Sequence, residues 1–233
     1  MCAVSSRSQC VGRAVSFARW AAIRRDMLCI PKANHKKLVD DCYPTSKALV
    51  NAAPEYRPNA NELGRLVYYA QCKPAKLSKV GRLLMTRASS ESRAFMAANT
   101  EKNKALLMIT LGVLRDLVSS CQEGHAYLAP AVRSMLTDAV NVAAPTGSAM
   151  TSWDMDICAR ASSIFAMYVQ SIPAGEVDTD DAVSSAVFQG LSDLQRLGKG
   201  HASDQSRMIW IAGINGLIRS PVLMTPLFPR FLR

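Results

Sequence analysis

Eight cations in one stretch of this sequence could act together: Lys32, Lys36, Lys37, Lys73, Lys76, Lys79, Arg82 and Arg87. Few acids separate them, so the chemistry open to them is attraction of an anionic surface, either an acidic lipid leaflet or a nucleic acid. The wider balance has the same sense. Residues 1–116 carry 20 Lys and Arg against 8 Asp and Glu, and residues 117–233 carry 8 against 10, so the net charge of +10 comes entirely from the first half. A merely solvated basic face would give the same counts. Nucleic-acid modules interleave their cations with stacking aromatics or a groove-reading helix. The aromatics nearby are Tyr43, Tyr56, Tyr68 and Tyr69, and helical spacing puts Tyr69 in a core. A lipid surface is therefore the preferred partner. Each Lys or Arg near an acidic leaflet contributes ~1 kcal/mol, so about five or six would suffice for reversible binding.

Other chemistries find less support. His35, His125 and His201 are isolated, and no H-E-x-x-H, G-x-S-x-G, P-loop or G-x-G-x-x-G occurs, so neither an enzyme nor a cofactor is predicted. Asp178, Asp180 and Asp181 precede a helix and read as capping and dipole-compensating residues, because the remaining ligands of a calcium loop are out of register. The seven cysteines form no C-x-x-C pair, which argues against a zinc site or a disulfide framework and for a reduced, intracellular setting. Cys42, Cys72, Cys121 and Cys158 sit among apolar helical positions and are expected in the core. Cys2, Cys10 and Cys29 lie in the basic N-terminal stretch, where reversible S-acylation would be placed.

The elements that must position these residues are helices. Ala, Leu, Val and Met are common, aromatics are 6% of the chain, and no strand-type alternation is present. A short helix is expected over Ala33–Cys42, with Leu38, Val39 and Cys42 inward and Lys36 and Lys37 outward. Pro44, Pro54 and Pro58 mark a loop around one helical turn. Asn59 or Asn61 should cap a helix to about Cys72 with Leu63, Leu66, Val67 and Ala70 on its inner stripe. Lys73-Pro74 breaks it, and Pro74 opens the next helix, with Leu77, Val80, Leu83 and Leu84 inward. Thr100–Cys121 is apolar nearly all round and belongs inside a stack, with Gly124 as its stop. Helices over Tyr127–Val142, Trp153–Gln170, Asp180–Leu197 and Asp204–Arg219 complete about eight, the last two capped by Asp180 and Asp204.

This succession predicts an all-α, HEAT- or armadillo-like helical-repeat solenoid over 27–233, the N-terminal part of a longer rod truncated at its C-terminus, with a compact all-α bundle as the alternative. No run of 18 uncharged apolar residues exists, so membrane contact, if any, is peripheral. Residues 1–26 are Ser- and Arg-rich without an acid before Asp26. They are read as a disordered basic extension upstream of a start at Met27. A second reading makes them a mitochondrial address on a helical-repeat interaction protein.

Two windows carry a family resemblance. KANHKKLVDDCYP and NELGRLVYYAQCKPAKLSKVGRLL resemble the opening of the Efr-three (rolling blackout) family. The matching residues are Lys37-Leu38-Val39-Asp40, Tyr43-Pro44, Leu66 with Tyr69-Ala70, and Pro74 through Gly81. Two residues rather than one separate Asp40 from Tyr43, and Ala70 directly follows Tyr69. The resemblance implies a peripheral scaffold on the cytoplasmic face of the plasma membrane, a rod of helical repeats that localises a type III phosphatidylinositol 4-kinase complex through a scaffold subunit. It also implies that the basic N-terminal surface binds acidic phospholipids. Animal members are acylated at a run of adjacent cysteines, and this chain has only Cys29 before its first matching helix. Family members are several times longer, and their scaffold-binding tail has no counterpart in these residues.

Overall fold

The computed structural model describes residues 34–45, 48–49, 53, 55–143, 151–173, 180–200 and 204–220. The chain divides into two units, Met1–Asn34 and His35–Arg233, and every element below lies in the second. Cys29 and Lys32, like the extension 1–26, fall outside the described residues.

Eight α-helices are described: α1 His35–Asp41, α2 Ala60–Cys72, α3 Pro74–Ala97, α4 Glu101–Ser120, α5 His125–Ala143, α6 Ser152–Ser171, α7 Asp181–Gly200 and α8 Asp204–Ile218, with one 3-10 turn, Gln122–Gly124, between α4 and α5. They sort into two layers. α1, α3, α5 and α7 pack in succession along one layer, and α2, α4, α6 and α8 along the other. Each odd helix also packs on the even helix that follows it. The described unit is thus four stacked helix pairs, an all-α helical repeat in which each pair buries its apolar face on its neighbours. Among the described residues there is no strand.

The packing explains the helix compositions. α4 lies between α2 and α6 in its own layer and against α3, so Leu107, Ile109, Leu111, Val113, Leu114 and Leu117 are all buried although they point in every direction. α3 is amphipathic, with Leu77, Val80, Leu84, Ala88 and Phe95 buried along one stripe. No single described helix is long and apolar enough to cross a membrane, and the one adjoining pair that passes by length and composition is bent by 105°.

The helix ends are built locally. Pro74 occupies the first turn of α3, where its missing N–H leaves no bond unmade. Thr100 caps α4 by accepting from the Asn103 N–H, and Asp180 caps α7 by accepting from the N–H groups of Ala182 (2.8 Å) and Val183 (3.1 Å). At α6 Thr151 and Asp154 supply a full capping box. The Asp154 N–H donates to the Thr151 hydroxyl oxygen (3.2 Å), and the Thr151 N–H donates to the Asp154 carboxylate (2.7 Å). Thr151→Ala should therefore destabilise the chain by about 1–2 kcal/mol, and Thr151→Ser by much less, as read from urea midpoints.

Four local expectations are corrected. Cys72 is exposed, because it ends α2 off the stripe of Leu63, Leu66, Tyr69 and Ala70 that is buried. Asn59 makes no side-chain cap, and its backbone N–H donates instead to Cys42 O (2.8 Å), joining α1 to α2. Asp204 lies in the first turn of α8 and not before it. Gly124 does not stop a helix, since the chain runs on into α5. It is small because α3 lies against it, and a Cβ there would overlap Leu77 Cδ2.

Candidate functional site

The first layer of the stack carries the basic residues. At 100° per residue, Lys76, Lys79, Arg82 and Arg93 fall within about 120° of one another on α3, opposite the buried stripe, and all four are exposed. With a rise of 1.5 Å per residue they extend over roughly 26 Å of helix surface. The only acid on α3 is Glu91, which faces inward, so this outer face bears four cations and no carboxylate. Lys73 is exposed at the start of α3, with its ammonium 5.4 Å from the centroid of the Tyr69 ring. Lys36 and Lys37 are exposed on α1, the helix that packs next to α3 in the same layer.

Arg93 is the member that reading the sequence as far as Arg87 leaves out. Its signal is the length of α3: no Pro interrupts the helical pattern between Pro74 and Ala97, and Arg93 lies three turns beyond Arg82 on nearly the same azimuth.

Arg87 does not join the stripe. It is half-buried, and its Nη2 donates to Asp40 Oδ1 at 2.7 Å. The guanidinium lies 4.2 Å over the Tyr43 ring, within cation–π range. Nε sits 3.9 Å from the Glu91 carboxylate. Tyr43 Oη lies 2.6 Å from Thr110 Oγ1, and the Thr110 hydroxyl in turn donates to Glu91. Residues from α1, the turn after it, α3 and α4 thus close one polar cluster that holds α1 against the stack. Asp40 and Tyr43, two of the residues that carry the family resemblance, work here as docking residues of α1.

Burial raises the Glu91 carboxyl to about 7, against the opposing pull of the Thr110 hydrogen bond and of Arg87. Protonated Glu91 can donate to Thr110 while Thr110 donates to Leu106 O at 3.2 Å, so the neutral form is fully partnered. A carboxyl whose folded pKa is raised contributes stability that is present at low pH and is lost as pH rises through the folded value. Relative to Glu91→Gln, the native chain should therefore lose about 2–3 kcal/mol between pH 4.5 and pH 8. Urea unfolding of both proteins at the two pH values measures this. A constant difference between them would show that Glu91 titrates normally.

The remaining candidates are placed as follows. Cys42 and Cys158 are buried thiols pushed up to about 12, and Cys121 to about 11, by desolvation, which suppresses thiolate chemistry. Asp180 caps α7 as described. Among the described residues no group of three His, Cys, Asp or Glu is placed to hold a metal ion.

Residues 34–138, which include the α1 clamp and the whole of α3, match the family model described as EFR3 protein. The chain is 39% identical over 224 residues to Protein EFR3 of Mycosarcoma maydis, covering 88% of this chain and 21% of that protein. It is 31% identical over 202 residues to Protein EFR3 of Cryptococcus neoformans var. neoformans serotype D, covering 81% and 20%, and 28% identical over 141 residues to Protein EFR3 of Yarrowia lipolytica, covering 60% and 14%. It spans about a fifth of the length of the first two relatives. No solved structure matches it. With the family model lying over the clamp and the basic helix, and the first relative matching along most of the chain, this protein belongs to the EFR3 family.

Proposed function

We propose that this chain supplies the membrane-docking part of a peripheral scaffold at the cytoplasmic face of the plasma membrane, and that the layer of α1 and α3 lies on acidic phospholipids. The observation that carries the reading is the acid-free outer face of α3, with Lys76, Lys79, Arg82 and Arg93. Lys73 at its start and Lys36 and Lys37 on the neighbouring helix extend it. Lys32 and Cys29 remain part of the proposal as further lipid contacts, a cation and an acylation site that precede α1 in the sequence. Arg87 is assigned to holding α1 in place.

The physical case is additive attraction. Seven exposed cations on α1 and α3 at ~1 kcal/mol each exceed what reversible binding needs. No buried pocket or fixed geometry is required, because a leaflet is a diffuse anionic surface. Within the EFR3 family, we assign lipid contact to these residues and recruitment of a phosphatidylinositol 4-kinase complex, through its scaffold subunit, to the longer protein. Co-sedimentation with liposomes tests the reading. Binding to phosphatidylserine- or phosphoinositide-containing vesicles, absent on neutral vesicles and lost in high salt, is the expected result. Equal, negligible pelleting on all vesicles would leave the basic face without a lipid role.

A further inference from the structure

The second layer contains a cleft of about 550 Å³ between the loop 55–58, α2, α4 and α6, lined by Arg57, Arg115 and Arg160 and by the carboxylates Glu55 and Asp116, with Pro58 and Leu63 as apolar walls. Nothing in the lipid reading uses it, since it lies among even-numbered helices and not on the layer of α1 and α3. Arg160 is its centre. It is half-buried, and its Nη1 and Nη2 donate to Met108 O and Glu55 O, each at 3.2 Å. Both acceptors are neutral carbonyls, and among the described residues no carboxylate forms an ion pair with this guanidinium. Burial, and then the neighbouring Arg115, lower its basicity. Asp156 and Glu55 act the other way, but each is already engaged at 2.6 Å, Asp156 by Lys104 and Glu55 by Arg57.

With Glu55 and Asp116 paired to Arg57 and Arg115, Arg160 is the cation in excess, and a partly desolvated guanidinium held only by carbonyls leaves positive potential in the cleft that an anion would relieve. The loop that supplies Arg57 is held in an uncommon conformation. Tyr56 has φ of 42°, a left-handed value that a bulky residue adopts only when its surroundings impose it. Its hydroxyl donates to Glu101 at 3.1 Å. This conformation presents Glu55 O to Arg160 and Arg57 to the cleft.

We propose that the Arg57–Arg115–Arg160 cleft binds a phosphate group, either as inorganic phosphate or as the phosphate of an inositol headgroup. Planar guanidinia match phosphate oxygens with paired N–H donors. Arg57 is side-paired to the exposed Glu55 at 2.6 Å and Arg115 to the half-buried Asp116 at 2.9 Å, and pairs open to solvent in this way are weak enough for a phosphate dianion to displace. The volume falls within the range of roughly 300–1,000 Å³ that takes small ligands, so a ring attached to the phosphate also fits, against Pro58 and Leu63.

The test is isothermal titration of the full chain, at constant ionic strength with chloride as reference, using inorganic phosphate and inositol 1,4-bisphosphate as probes. Saturable binding of at least one probe is expected. Arg115→Gln should weaken it by about tenfold or more, and Lys76→Gln/Lys79→Gln should leave it unchanged. Arg160 also braces the loop, so the decisive variant is Arg115→Gln, whose side chain is exposed, and an unaltered unfolding midpoint establishes its fold. Equal affinity for the two probes assigns the site to free phosphate, and tighter binding of the inositol compound assigns it to a headgroup. No saturable binding above chloride, or unchanged affinity in Arg115→Gln, overturns the proposal. Vesicle binding by the α3 face is measured separately and stands or falls without it.

Discussion

Lys76→Glu/Lys79→Glu/Arg82→Glu is expected to weaken binding to phosphatidylserine-containing vesicles by roughly 100-fold or more. Each cation near an acidic leaflet contributes ~1 kcal/mol, so removal of three costs about 3 kcal/mol before the repulsion of the new carboxylates is added. The residual binding of the variant should respond less steeply to salt, because fewer charges face the leaflet. All three side chains are exposed on the outer face of α3, away from the stripe of Leu77, Val80 and Leu84. Exposed substitutions of this kind change stability by ~0.5 kcal/mol or less each, so the circular dichroism spectrum and the unfolding midpoint should stay near those of the native chain. Pelleting of the folded variant at native levels would mean that another surface holds the membrane. Lys36 and Lys37 on α1 would then be the next pair to reverse.

Phe165→Ala should cost about 3–5 kcal/mol of folding stability, the range for an aromatic removed from a close-packed core. Phe165 on α6 is fully buried, and its ring lies against the backbone of α7 at Gly190, where a Cβ would overlap the ring atoms Cε2 and Cζ. The ring has no flexible end to yield, so Gly190→Ala should itself destabilise by about 1–3 kcal/mol, less the ~1 kcal/mol gained in helix propensity. The two changes are coupled. In Phe165→Ala/Gly190→Ala the new methyl enters the space left by the ring, and the double variant should be more stable than the sum of the single losses by about 0.5–3 kcal/mol. Denaturant unfolding of the four proteins gives this coupling. Strict additivity would show that α6 and α7 relax apart at this point.

These expectations differ in how far they can be read without coordinates. The all-α repeat was legible because its signal is local. Apolar residues recur at helical spacing, prolines and polar caps punctuate the helices, and strand alternation is missing. For the same reason the core positions Leu38, Val39, Leu66, Leu77, Val80 and Leu84 were legible, and all are buried. Val67 and Leu83 lie on the same stripes and are only half-buried. A stripe has edges, and their cover depends on how closely the next helix approaches.

Charge was legible as an amount and not as an arrangement. The excess of Lys and Arg in the first half, and the helical placement of Lys76, Lys79 and Arg82 away from the apolar face, follow from the chain alone. Which cations remain outward is a matter of long-range partners. Arg87 reads like its neighbours, yet Asp40, 47 positions away, and Glu91 turn it into a clamp. Glu91 itself reads as an ordinary surface acid, and only the enclosure by α1 and α4 raises its pKa. The cleft is the extreme case. Its three arginines come from a loop, α4 and α6, and Arg160 reaches Glu55 across 105 positions of sequence. Periodicity and capping act over a few residues, so the sequence by itself determined the helices, their inner faces and the sign of the surface. The pairing of helices into two layers brought distant charges together, and that alone decided which cations are spent on structure and which stay exposed.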